Sequence, residues 1–203
     1  MKQGKARLAA PFNELAAWIG DYWDVNVLNV TYDPRNELHA PRIRIVLEHE
    51  AERQKFRDGF NFDRRKQQTI AAKFREIVRE DSSPYDTDGL FVVFSAFAPL
   101  ACEEADSKIS EVEIDALMKR IGNPDLWTIS RLFGHVTFMF YTDAQAREYA
   151  AQGKQSEYAK KYFEILKPYD EFGYLRSDSF TVAFDSKQNF DDKFHGSWFN
   201  YYR

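Results

Sequence analysis

Sulfur chemistry is almost absent from this sequence: Cys102 is the sole cysteine among 203 residues, so no disulfide can form within the chain and a small stapled secreted scaffold is excluded. A reducing cytoplasm is the expected setting. Glycine is sparse as well, with nine residues scattered singly. That leaves no material for a glycine-rich phosphate loop, and no serine sits in a G-x-S-x-G elbow. No apolar run approaches the 18 or so residues that a membrane span needs. The basic start (Lys2, Lys5, Arg7) imitates an export signal, but Pro11, Asn13 and Glu14 interrupt the apolar stretch behind it. The four histidines, His39, His49, His135 and His195, show no paired zinc spacing. Calcium-loop spacing is missing from the acidic run Glu103, Glu104, Asp106, Glu111, Glu113 and Asp115. No metal or cofactor is expected.

Aromatic rings are plentiful: 18 Phe, 11 Tyr and 4 Trp in a chain that is 44% hydrophobic. Each ring can remove roughly 150–250 Å² from water, enough in sum to offset the entropy of ordering a folded core. The net charge is −4, which argues against a chain built as a whole to coat nucleic acid. Charge is nevertheless segregated. Between Arg53 and Arg79 there are nine Lys and Arg against three Asp and Glu.

Periodicity lays out the elements. Phe12, Leu15, Ala16 and Ile19 predict a helix up to Trp23. Two strands follow, Asp24–Tyr32 with a bulge near Val27 and Leu28, and Arg42–Glu48 with alternating faces, joined by a long loop. Asp63 can cap a helix running to Glu80, with Ile70, Phe74, Ile77 and Val78 as its buried stripe. Residues 80–89 read as a surface loop and a possible lobe boundary. "LFVVFSAF" reads as a central strand covered on both sides. Ser110/Glu113 and Thr142/Gln145 form capping boxes. A short helix is predicted from Asn123 through Leu132, then strands over 135–141 and 180–184, and a final strand in "SWFNYYR". No repeat of fixed period is evident.

The expected architecture is therefore α+β: a single domain over 1–203, with one sheet of five or six strands, mainly antiparallel or mixed, packed against several helices. Phe91 and Phe138 are expected in its core, each costing about 3–5 kcal/mol on truncation to Ala.

Three functional classes remain. The first is a cytosolic, non-enzymatic protein-binding protein of the adaptor or immunity type, suggested by rings and segregated charge, the raw material of interfaces. Its partner is expected to be another protein. The second is a hydrolase or transferase built on carboxylates and histidine, with Glu48, His49, Glu104, His135, Asp192 and His195 as candidate catalytic groups. The third is a polyanion or single-stranded nucleic-acid module using Arg64, Arg65, Arg75 and Arg79, with Phe56, Phe60 and Phe62 interleaved among cations. Cys102, flanked by Glu103 and Glu104, reads as a structural thiol rather than a nucleophile.

Overall fold

A computed structural model describes residues 8–80, 85–132 and 134–203. The chain divides into two compact units, Met1–Leu100 and Ala101–Arg203, with the division falling inside one helix. Of the surface loop expected over 80–89, residues 81–84 lie outside the described residues.

In the first unit, α1 (Phe12–Trp23) leads to β1 (Val27–Asp33) and β2 (Arg42–Leu47). Then come the short α2 (Glu50–Gln54), a small hairpin of β3 (Arg57–Asp58) and β4 (Asn61–Phe62), α3 (Arg64–Glu80) and β5 (Phe91–Ala96). The sheet order is β1-β2-β5, with β1 antiparallel and β5 parallel to β2. Ile43, Ile45 and Leu47 alternate inward from β2 and are wholly buried with Leu15, Ile19, Phe56, Ile70 and Phe74. The bulge expected in β1 is present between Val27 and Asn29.

The second unit begins within α4 (Phe97–Ser107), followed by α5 (Glu111–Ile121), β6 (Leu126–Leu132) and β7 (His135–Phe140). After α6 (Asp143–Ala151) and α7 (Lys154–Leu166), β8 (Ala183–Ser186) runs directly into α8 (Lys187–Phe194), and α9 (Trp198–Tyr201) ends the chain. Its sheet order is β6-β7-β8, again antiparallel then parallel. Phe138, Phe140, Tyr162 and Leu117 fill a separate core.

The α+β class stands, but the single five- or six-stranded sheet is replaced by sheets of three, two and three strands. The segment expected as a central strand is β5, which among the described residues pairs with β2 alone, at the edge of the first sheet. Only its alternate residues Val92 and Phe94 face the core, and Phe91 is 50% exposed. One face of the strand is covered by the core and the other, at Phe91, is left half in water even though the sequence is apolar throughout.

Two helix–strand assignments change as well. Residues 126–132 form a strand, not a helix. Leu126 and Ile129 recur at helical spacing because a bulge lies between Leu126 and Thr128, and one extra residue returns both to the buried face. Asn123 closes the turn before it by accepting the Asp125 N–H at 2.9 Å. At the terminus, His195 and Gly196 adopt left-handed φ of 55° and 64° and stop α8; Ser197 then caps α9. A helical turn thus stands where alternation suggested a strand.

The two units repeat one topology. β1 and β6 are seven residues long, β2 and β7 six, and the bulge falls at the same step of each hairpin. The helix before each hairpin ends in a left-handed cap, Asp24 at 52° and Gly122 at 63°. A helix follows each second strand, entered through His49 and Thr142, and each third strand runs parallel to the second and straight into a helix. The spacing is not constant, because eight residues separate β1 from β2 and only two separate β6 from β7. The β3–β4 hairpin is also peculiar to the first unit; between α6 and α7 only Gln152 and Gly153 intervene.

Candidate functional site

The β3–β4 hairpin is built to leave one ring in water. Phe56, just before it, is fully buried and stacks on Phe94 at 4.3 Å, with Trp23 edge-on at 5.2 Å. Phe62, just after the turn, meets Phe94 edge-on at 5.2 Å. Between them Gly59, with φ of 58°, opens a two-residue turn, the conformation that such a tight hairpin asks of its first loop position. The tip residue Phe60 is 99% exposed. Arg57 braces the turn: its guanidinium lies 5.2 Å over the Phe62 ring and donates to the Phe60 carbonyl at 2.6 Å.

α3 starts immediately afterwards, its first N–H groups received by Asp63, which accepts from Arg65 at 2.9 Å and Lys66 at 3.2 Å. One stripe of this helix, Ile70, Phe74 and Ile77, goes to the core. Another, Arg64, Gln67, Gln68, Ala71 and Arg75, lines a cleft of about 1160 Å³ between the hairpin and β5. The far wall is Leu90 and the start of β5 at Phe91 and Val92. Gln67 donates its side-chain amide to the Val92 carbonyl at 2.6 Å.

The electrostatics of this cleft are one-sided. Arg57, Arg64 and Arg75 line it against Asp58, and among the described residues none of the three has a carboxylate at ion-pair distance. Elsewhere arginines are matched to acids: Arg42 with Asp33 at 2.7 Å, Arg53 with Glu50 at 2.6 Å, Arg131 with Glu111 at 2.7 Å. Arg75 donates to the Thr87 carbonyl at 3.4 Å. Arg57 keeps its Nε buried without an acceptor, one of two buried side-chain polar atoms without a hydrogen-bond partner among the described residues. An orphaned buried donor is uncommon in folded proteins.

A second cleft, about 960 Å³, lies in the second unit beside Asp106, Arg131, Trp198 and Tyr202. Its most buried polar groups are bonded to one another and to the backbone. Arg131 donates to the carbonyls of Asp106 and Ile109 at 3.0 and 3.1 Å, and Tyr162 donates to the Asp106 carboxylate at 2.5 Å. Burial, and then the Asp106 carboxylate, push the Tyr162 phenol far above its ordinary range. These are bonds of a structural kind. Tyr162→Phe will cost about 1–3 kcal/mol by removing a donor from a buried acceptor, read from the denaturant midpoint at unchanged slope.

The terminal rings are mostly seated. Trp198 stacks on Trp127 at 6.1 Å and meets Phe190 at 4.2 Å; the Tyr201 hydroxyl donates to Asp185 at 2.6 Å, and the hydroxyls of Tyr202 and Ser130 are 2.5 Å apart. Phe199 remains 75% exposed.

Of the proposed acid–base residues, Glu48 and His49 come together, Oε1 to Nε2 at 3.9 Å, where β2 passes into α2. Their surroundings are those of a helix start: Glu52 accepts the N–H groups of His49 and Asn26, both at 2.7 Å. Glu104 lies on α4, paired with Lys108 at 3.1 Å. His135 opens β7, Asp192 is on α8, and His195 caps α8, all three exposed. None of the six lines either cleft. Of the four arginines singled out from the sequence, Arg64 and Arg75 line the first cleft and Arg65 and Arg79 do not. Arg57 was the residue missed; the Asp58-Gly59 pair between two short polar–aromatic stretches was the hairpin signal that would have found it. The Cys102 thiol is pushed up by burial and then by the Asp170 carboxylate, rather than by its neighbours Glu103 and Glu104. Among the described residues no group of three or more His, Cys, Asp or Glu is placed to hold a metal ion, and no helix is long and apolar enough to cross a membrane.

No family model matches this chain, and no curated protein or solved structure matches it.

Proposed function

We propose that this is a non-enzymatic binding protein that takes an anionic segment of another protein in the cleft of its first unit. One observation carries the reading. The β3–β4 hairpin, absent from the otherwise parallel second unit, places a 99% exposed Phe60 and the Arg57 guanidinium beside Arg64 and Arg75. Nothing in the core requires an exposed ring on an added hairpin, since Phe56 and Phe62 already anchor it. A ring at the rim of a groove with several unmatched guanidinium groups is the composition of an interface hot spot, and Arg is the cation whose planar fork suits carboxylates best.

The same rings and cations favour a second reading, single-stranded nucleic acid held by stacking and phosphate contacts. Nuclease-treated lysate of the source cells separates the two. The full chain will retain a protein at a fixed molar ratio, and a Phe60→Ala, Arg64→Glu double variant will lose it. Equal capture by the variant, or loss of capture on nuclease treatment alone, overturns the proposal.

A further inference from the structure

We infer that the cleft receives its ligand as an added β-strand: a short, extended, acidic peptide pairs with the free edge of β5 while its carboxylates meet Arg64 and Arg75. This rests on the reading of the cleft as a protein-binding site and specifies the ligand's backbone and charge.

The edge itself is the first argument. Strand backbone groups alternate in direction, and the Phe91 N–H is turned inward to the Pro41 carbonyl at 2.9 Å. The groups of Val92 therefore point outward, into the cleft that it lines, whereas the Leu90 N–H just before the strand is taken by the Thr87 carbonyl at 3.4 Å. The Val92 carbonyl confirms the direction, because its partner is the Gln67 side chain on α3 rather than another strand. Gln67 stands where a neighbouring strand's N–H would stand. A side-chain amide can swing away at little cost, so this acceptor is satisfied in the free protein and available to a ligand. Strand addition to an open edge is an established mode of peptide capture, in which main-chain bonds give affinity and alternate side chains give selectivity.

Charge and length supply the second argument. Arg64 and Arg75 are eleven residues apart on α3, which at about 1.5 Å per residue is about 16 Å. An extended strand covers that distance in about five residues at about 3.3 Å each. Residues of one face recur every second position, so acids at alternate positions along such a segment can reach both guanidinium groups. Arg57, with its unaccepted Nε, stands at the hairpin wall. Apolar residues on the ligand's other face would meet Phe60 and Phe91, which line the same cleft and are largely or half exposed.

The test uses the full chain and a fluorescein-labelled peptide of about seven residues alternating Glu and Val, read by anisotropy at low salt. Two isomers carry N-methyl groups on alternate amides, one blocking each edge of the strand; a Lys/Val peptide and an oligo-dT of similar length complete the set. The Glu peptide is expected to bind, and one methylated isomer to bind at least tenfold more weakly than the other. Arg64→Glu with Arg75→Glu should weaken the parent peptide at least tenfold. Gln67→Ala should tighten it by freeing the Val92 carbonyl, which a merely structural role for Gln67 would not produce; unchanged or weaker binding counts against strand addition. If both isomers bind as well as the parent while the arginine variant still weakens it, strand addition is wrong and the protein-binding cleft survives. If the Glu peptide fails to bind, this inference falls, and the capture experiment alone decides the cleft. Binding of oligo-dT in place of the peptide overturns both.

Discussion

Phe138→Ala will lower the stability of the chain by about 3–5 kcal/mol, the range for emptying a fully buried aromatic site. Phe138 has no exposed surface, and its ring meets Tyr158 at 5.0 Å, Phe184 at 6.2 Å and Tyr162 at 6.3 Å. Three partners from α7 and β8 converge on it, so truncation leaves a void that no single side chain can fill. The denaturant midpoint of the second unit's near-ultraviolet signal checks this. Phe91→Ala, expected from the sequence to cost as much, should shift the midpoint by less than about 1 kcal/mol, because half of that ring is already in water. Equal losses at the two positions would mean that the Phe91 face of β5 is covered rather than half in water.

Phe56→Ala is the second large effect, again about 3–5 kcal/mol, and its neighbour Phe60 is the control. Phe56 is wholly buried between Phe94 and Trp23, whereas Phe60 touches the solvent on nearly all its surface. Phe60→Ala should therefore stay within about 0.5 kcal/mol of the parent chain and yet weaken ligand capture. The pair separates folding from recognition within four residues of sequence. Loss of stability at Phe60 would show that the hairpin ring serves the fold and would remove the observation on which the functional reading rests.

Local order was largely legible from the residues. The capping boxes at Ser110/Glu113 and Thr142/Gln145, the cap at Asp63, the bulge in β1 and the long helix α3 all appear where short-range chemistry put them. The errors occurred where one residue of phase or one neighbour decided the outcome. A bulge gave β6 a helical spacing of Leu126 and Ile129, and the left-handed His195 and Gly196 turned an alternating tail into a helix.

The duplicated topology was hidden for a related reason. What the two units share is pairing register and direction, carried by apolar class at positions such as Val30 and Ile129 or Leu47 and Phe140. Unequal loops then removed any constant period. For the cleft, the sequence showed the cations Arg64 and Arg75 and the interleaved rings, but not which phenylalanine was buried or that Arg57 would join them. The acid–base set illustrates the converse: residue type alone proposed six groups, and none of them lines either of the two clefts described.

The sequence by itself determined the α+β class, most helix starts, the absence of an internal disulfide and the basic, ring-bearing segment between Arg53 and Arg79. These follow from composition and from interactions within a few residues, which the chain carries wherever it goes. Only the tertiary structure decided that β5 is an edge, that Phe56 is core while Phe60 is surface, and that three arginines line one groove with no carboxylate at ion-pair distance among the described residues. Those outcomes depend on which distant strand or helix arrives beside each residue, and that is set by the packing of whole elements rather than by any local pattern.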